Sequence, residues 1–160
     1  MWPTIRSVII GYLVIVALVF PSFSAAYLIM GVDAAFEPGS YDVTTAWIAV
    51  STVLGLIAAI AGGYLCAVIS KTTTAPKALA VVVFVLGLVF ALPALVQPDE
   101  TIPAVRSAAV GNFEAMQSAV QPIWIMFLNP LIGAVGVILG ARFRIKRSSG
   151  GSQDRSVNKS

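Results

Sequence analysis

Four stretches of this chain contain no charged residue, and each is long enough to cross a lipid bilayer as a helix. A membrane-spanning helix needs about 20 apolar residues to cross about 30 Å of hydrocarbon. The charge-free stretches are residues 7–32, 43–70, 78–98 and 115–141. We therefore predict an all-α membrane protein with transmembrane helices at about 8–30, 45–70, 78–96 and 123–141.

The charges between these stretches are separated by sign. Nine of the ten Lys and Arg residues lie at the N-terminus, between the second and third stretches, or after the fourth. Six of the seven acids lie in the other loops. Since basic residues mark cytoplasmic loops, both termini are predicted to be cytoplasmic.

The two ends of the chain divide it into a membrane domain and a tail. Residues 1–141 form the predicted transmembrane domain, and residues 142–160 are predicted to be a disordered, basic cytoplasmic tail because they contain few apolar groups. The first span has an alternative interpretation as a cleaved signal peptide, with small residues at 21–25. The apolar run continues to Met30, which favours an uncleaved helix.

The third span and the second outer loop carry two further predictions. The third span is apolar on every face, so it is expected to have the most contact with lipid. In the outer loop, apolar residues recur at helical spacing, which predicts a short amphipathic helix, with an irregular loop as the alternative. These residues are Ile102, Val105, Ala109, Phe113, Met116 and Val120.

Small residues follow one face of the second span and one face of the fourth. Small side chains let helices approach closely in lipid, and both stripes lie at similar depths relative to Trp47 and Trp124. The two helices are therefore predicted to pack together. The predicted packing residues are Gly55, Ala59, Gly62, Cys66, Asn129, Gly133, Gly136 and Gly140.

Asn129 is the one strongly polar side chain inside the fourth span. Burying an amide without a partner is unfavourable, so it should bond to a neighbour. Ser51 and Thr52 lie at matching depth on the second span. A polar cluster of these three residues is therefore predicted to hold the two helices in register, the alternative being that Asn129 faces a pore or a neighbouring subunit.

Residues that could carry catalysis are scarce. The chain has one cysteine and no histidine, and no Asp, Glu, Lys or Arg lies within a predicted span. These absences disfavour proton-coupled exporters, intramembrane serine proteases and disulfide-forming enzymes. The outer acids do not match a calcium-loop pattern. We expect no catalytic, metal or cofactor site.

The basic residues after the fourth span predict contact with the membrane surface. Arg142, Arg144, Lys146 and Arg147 follow the last apolar residues and could bind anionic lipid, or act only as a topology anchor. Their position at a membrane boundary argues against nucleic-acid binding.

The segment from Phe36 to Trp47, FEPGSYDVTTAW, followed by a helix containing Gly62-Gly63-Tyr64, resembles small four-span bacterial inner-membrane proteins of unassigned activity. The resemblance implies a bacterial inner-membrane location and carries over no site residues.

The sequence favours a non-enzymatic, multi-pass membrane protein. Its first interpretation is a structural or accessory subunit that assembles with itself or with another membrane protein. The alternative is a small permease or channel subunit for a neutral or apolar solute.

Overall fold

The computed structural model describes residues 2–92 and 111–157. Among these residues, four helices are long and apolar enough to cross a membrane, which confirms the predicted all-α multi-pass fold. The helices, in chain order, are α1 (Trp2–Met30), α2 (Val32–Ala35), α3 (Thr45–Ser70), α4 (Thr74–Ala91), α5 (Asn112–Ser118) and α6 (Ile123–Val157).

Prolines explain why two spans begin earlier than predicted. α1 begins at Trp2 rather than near residue 8, and Pro3 occupies its first turn, where the missing N–H is tolerated. α4 begins at Thr74 rather than at residue 78, with Pro76 in its first turn. The predicted end of this span, at 93–96, lies outside the described residues.

The segment predicted as a disordered tail is where the structure differs most from the sequence prediction. α6 begins at Ile123 as predicted but continues through residues 142–157. A helix that is already formed adds one hydrogen bond for each residue it gains, so the span can propagate into a polar segment.

The four long helices form a ring in the order α1, α3, α6, α4. α3 packs along both α1 and α6, α6 packs along both α3 and α4, and α4 meets α1 over a shorter stretch. In the apolar part of α1, 6% of the residues are buried, against 28% in α4. The prediction that the third span has the most lipid contact is therefore wrong, because α4 packs on α6 while α1 lies at the edge of the bundle.

The connections at one end of the bundle fold into a cap. We call this end the capped end, and the opposite end, where Arg6, Lys71 and Arg142 lie, the basic end. The cap consists of α2, residues 36–44 and α5. Its buried residues pack into a small apolar core made of Tyr27, Ala35, Phe36, Tyr41, Val43 and Ala115.

Backbone and side-chain hydrogen bonds hold the cap together. The Val43 N–H donates to the Val120 carbonyl at 3.1 Å, and the Val120 N–H donates to the Tyr41 carbonyl at 2.9 Å. The Tyr41 hydroxyl donates to the Glu114 carboxylate at 2.8 Å. The cap is therefore tied to the segment that leads into α6.

The short helix predicted in the second outer loop is present only in part. α5 covers residues 112–118, while Ile102, Val105 and Ala109 lie outside the described residues. Within α5, Phe113 is 70% exposed whereas Ala115 is buried. The small Ala115 side chain fits against the aromatic core of the cap.

Candidate functional site

Helix packing is closest in the basic half of the bundle. A Cβ atom added at Gly63 of α3 would overlap the backbone of Val137 on α6, and one at Gly140 would overlap the backbone of Ile60. A Cβ at Gly11 of α1 would lie 2.7 Å from the Leu79 side chain on α4. Backbones therefore lie against their neighbours at these crossings, and larger side chains do not fit.

The capped half of the bundle is less closely packed and contains cavities. A central cavity of about 200 Å³ lies between the four long helices. Polar side chains contribute to its wall from α3, from α6 and from the residues before α6. The lining residues are Ile15, Phe23, Ser51, Thr52, Gly55, Ala59, Val83, Gln121, Asn129, Ile132 and Gly133.

An aromatic cavity of about 230 Å³ lies between the central cavity and the cap. Four aromatic side chains line it: two from α1, one from the cap and one from α3. The lining residues are Phe23, Tyr27, Phe36, Trp47, Ala115, Ala119 and Gln121.

A side cavity of about 360 Å³ lies between α4 and α6 and is open to the surface over most of its extent. Its lining is apolar except for two amide side chains. The lining residues are Val83, Gly87, Phe90, Ala91, Ala119, Gln121, Met126, Asn129 and Pro130.

Gln121 lines all three cavities. Phe23 forms a common wall of the central and aromatic cavities, and Asn129 forms a common wall of the central and side cavities. Because the cavities adjoin through these residues, we treat them as one site and call it the chamber.

The chamber offers neutral hydrogen-bonding groups. The described residues that line it carry no charge at neutral pH. The carboxylates of Asp33, Glu37, Asp42 and Glu114 are exposed in the cap instead. A molecule inside the chamber would therefore meet hydroxyl and amide groups and aromatic rings.

The two amides of the chamber have no hydrogen-bond partner among the described residues. Ser51 uses its hydroxyl to donate to the Ile48 carbonyl at 3.2 Å. Among the described residues, neither Asn129 nor Gln121 forms a side-chain hydrogen bond. The structure thus places Ser51, Thr52 and Asn129 around one cavity, in agreement with their matching depth in the membrane. It does not show the hydrogen bonds between them that the predicted cluster requires.

The structure brings part of the predicted small-residue stripes together. Gly136 of α6 meets Ala59 of α3, where a Cβ at Gly136 would lie 2.9 Å from the Ala59 Cβ. Gly140 also lies against α3, as described above. The contact between α3 and α6 is the most extensive helix contact among the described residues.

Other members of the stripes lie elsewhere. Gly62 and Cys66 face Gly11 of α1, Gly133 faces Val83 of α4, and Gly55 has open space around its Cβ position. The α3–α6 contact uses Gly63 instead of Gly62. One residue along a helix is a turn of about 100°, so α3 presents Gly62 to one neighbour and Gly63 to the other.

Sequence reasoning missed Gln121 and Gly87. Gln121 lies in the connection before α6, where a polar residue is ordinary, and only the folded cap brings it over the bundle. Gly87 interrupts an apolar helix, and a Cβ there would lie 2.6 Å from the Pro130 ring on α6. A glycine in one span and a proline in another give no sign in sequence that they meet.

Metal binding finds no support in the described part of the chain. Within residues 2–92 and 111–157, no three Cys, Asp or Glu side chains are grouped so that they could hold a metal ion. Cys66 is free and fully buried between α3 and α1.

The chain matches no protein-family model, no curated protein and no solved structure. No activity, substrate or partner therefore carries over to it from another protein.

Proposed function

We propose that this protein is a non-enzymatic, multi-pass membrane protein that binds a small uncharged molecule within its capped half, as a permease or as a solute-binding subunit. The observation that carries the proposal is the central cavity of about 200 Å³, whose wall combines Ser51, Thr52, Gln121 and Asn129 with apolar residues. Ligand sites are typically concave and apolar, with a few polar groups that orient the ligand.

The lining favours an uncharged ligand over an ion. Moving an ion out of water is very unfavourable unless an opposite charge compensates it, and the described lining residues supply none. A neutral donor or acceptor can instead exchange its bond to water for a bond to the free amides of Asn129 and Gln121.

The packing of the basic half favours binding over an open pore. Gly63 lies against the backbone of Val137, and Gly140 lies against the backbone of Ile60. Inside the ring at this end, the buried side chains of Cys66, Leu79 and Val137 belong to one packed core, so passage to the basic end would require this core to open. A carrier that alternates between two conformations fits this arrangement better than a channel.

Cavity filling tests the proposal. Gly55 lines the central cavity and has nothing within 4 Å of its Cβ position, so Gly55→Leu should fill the cavity without displacing a helix. The purified protein in nanodiscs should be stabilised against thermal unfolding by small uncharged probes that fit the central cavity, such as glycerol or acetamide, and Gly55→Leu should abolish that shift. Ligand binding at 100 times Kd stabilises a protein by about 2.7 kcal/mol.

The matched control is Val53→Leu, which adds bulk on the same helix at a side chain that is 55% exposed. This variant should keep the response to the uncharged probes. An unchanged response in Gly55→Leu, or stabilisation by ionic probes alone, would contradict the proposal.

A second candidate function, an accessory subunit, is favoured by the surface of α1. In its apolar part 6% of the residues are buried, and large apolar side chains such as Leu13 and Phe20 are more than half exposed. A second copy or another membrane protein could pack on this face. A photocrosslinker at Leu13 should then capture the same partner in each preparation of native membrane, whereas one at Val135 of α6, which is similarly exposed, should not.

We also propose the bacterial inner membrane as the location, with the basic end in the cytoplasm. The distribution of Lys and Arg supports this orientation. Arg142, Arg144, Lys146 and Arg147 would then lie at the inner surface and bind anionic lipid headgroups. A peptide covering 142–160 should bind anionic vesicles less as salt rises, and equal binding to neutral vesicles would count against lipid recognition.

A further inference from the structure

Four aromatic side chains in the wall of the aromatic cavity, Phe23, Tyr27, Phe36 and Trp47, form a continuous edge-to-face network. Trp47 stands perpendicular to two rings of α1, with centroid distances of 6.2 Å to Phe23 and 6.2 Å to Tyr27. Tyr27 in turn meets Phe36 of the cap at 6.3 Å. Edge-to-face pairs at such distances are attractive, so a further flat ring placed against this wall would extend the same pattern.

The size of the aromatic cavity suits one ring with a substituent. Its volume is about 230 Å³, and an engineered apolar cavity of about 150 Å³ in another protein holds benzene. The adjoining central cavity adds room behind Phe23 and Gln121. The volume is therefore sufficient for a single-ring molecule.

The polar group of such a molecule would have a partner. Gln121 lines the aromatic cavity and the central cavity, and its amide is not used by another described residue. An amide offers both a donor and an acceptor. A ligand that placed its ring against Trp47 could direct one hydrogen-bonding group at Gln121.

We infer that the chamber binds an uncharged, single-ring molecule with one hydrogen-bonding group, its ring in the aromatic cavity and its polar group at Gln121. This inference rests on the proposed function and specifies its ligand class. An acyl chain would fill the apolar wall but leave the Gln121 amide unpaired. A quaternary ammonium ion could also contact aromatic rings, but the carboxylates that would balance its charge are exposed in the cap rather than in the cavity wall.

The test uses the full chain in nanodiscs, with Trp47 as the reporter. Trp2 and Trp124 are 72% and 60% exposed, so both can be changed to Phe, which leaves Trp47 as the one tryptophan. Four probes separate the features of the ligand: benzamide has ring and amide, toluene has only the ring, acetamide has only the amide, and benzyltrimethylammonium has a ring and a charge. Fluorescence of Trp47 and thermal unfolding are both measured.

Benzamide should change Trp47 fluorescence and raise the unfolding temperature at lower concentration than the other three probes. Gln121→Met should weaken benzamide binding about tenfold, to the level of toluene, because one hydrogen bond is lost. Phe23→Leu should weaken benzamide and toluene binding about three- to tenfold, since one aromatic contact is lost.

Each variant has a matched control on the same part of the chain. Gln117→Met changes an exposed amide of α5, and Phe20→Leu changes a ring of α1 that is 57% exposed. Neither should alter binding. If Gln121→Met or Phe23→Leu unfolds, the ranking of the four probes on the parent protein still decides the inference.

The outcomes separate the inference from the proposed function. Binding of acetamide or glycerol without preference for benzamide would overturn the single-ring inference and leave a neutral-solute site. Tighter binding of benzyltrimethylammonium than of benzamide would overturn both, as would a lack of response to all the uncharged probes.

Discussion

Gly63 and Gly55 lie eight residues apart on α3, and the structure predicts opposite responses when each is changed to Ala. A Cβ at Gly63 would lie 2.7 Å from the Cα and the carbonyl carbon of Val137, and closer still to the carbonyl oxygen. At Gly55 nothing lies within 4 Å of the added atom. The small-residue stripe in the sequence contains Gly55 and omits Gly63. Comparing the two variants therefore tests whether the structure or the sequence stripe identifies the close contact.

The size of the effect follows from these distances. Ordinary van der Waals contact begins at 3.4 Å, so the 2.7 Å contacts alone require Gly63→Ala to separate α3 from α6 locally by about 0.7 Å, and the closer carbonyl oxygen requires more. A radial gap of about 0.5–1 Å forfeits about a quarter to a half of each dispersion contact, and overpacking costs about 1–3 kcal/mol. Both variants gain about the same helix propensity, about 1 kcal/mol, so this gain cancels in their difference.

We therefore expect Gly63→Ala to be less stable than Gly55→Ala by about 1–3 kcal/mol. The free energies of unfolding can be compared by titrating SDS into mixed micelles and following helical circular dichroism. Equal unfolding midpoints for the two variants would show that α3 and α6 do not approach closely at Gly63. A less stable Gly55→Ala would favour the sequence stripe instead.

Three further measurements test other parts of the molecule. Tyr41→Phe should lower the free energy of opening the cap by about 1 kcal/mol or less, because the Glu114 carboxylate that the hydroxyl contacts is exposed. Faster amide hydrogen exchange in residues 36–44 would detect this change. Reporter fusions at Gly39 should behave as exported and fusions within 71–77 as cytoplasmic, whereas a cytoplasmic signal at Gly39 would reverse the predicted topology. Cysteines placed at Ala59 and Gly136, in a chain lacking Cys66, should form a crosslink within one chain with a short reagent, because their Cβ positions are 2.9 Å apart.

The control for the crosslinking experiment is a cysteine pair at Gly55 and Gly133. Both residues line the central cavity, but a Cβ at Gly133 meets Val83 and one at Gly55 meets nothing within 4 Å. This pair should need a longer reagent than the first pair. Crosslinks that form only between chains would move the α3–α6 contact to an interface between copies.

The sequence predicts the spans well because their signal is local. The second span was expected at 45–70, and α3 runs from Thr45 to Ser70. Its start is determined by Thr44, whose hydroxyl accepts the Trp47 N–H at 3.1 Å, and its end by Lys71, which adopts a left-handed conformation. Charge, hydropathy and capping residues act over a few positions, so they can be read without the fold.

The choice of partner for each helix face is not local. Gly62 and Gly63 are adjacent and identical, yet Gly62 lies against α1 and Gly63 against α6. A stripe of small residues indicates a close approach but does not indicate which helix approaches. For the same reason the sequence placed Asn129 in a bonded cluster, whereas the structure separates it from Ser51 by a cavity that also involves Gln121.

The unequal packing of the two halves has a volumetric consequence. Proteins lose internal void volume when hydrostatic pressure rises, and close-packed regions compress little. In this bundle the capped half contains the central and aromatic cavities, of about 200 and 230 Å³, whereas backbone lies against backbone at Gly63 and Gly140. Pressure should therefore compress the capped half first, moving Trp47 and Asn129 toward each other while the helix spacing at the basic end stays constant.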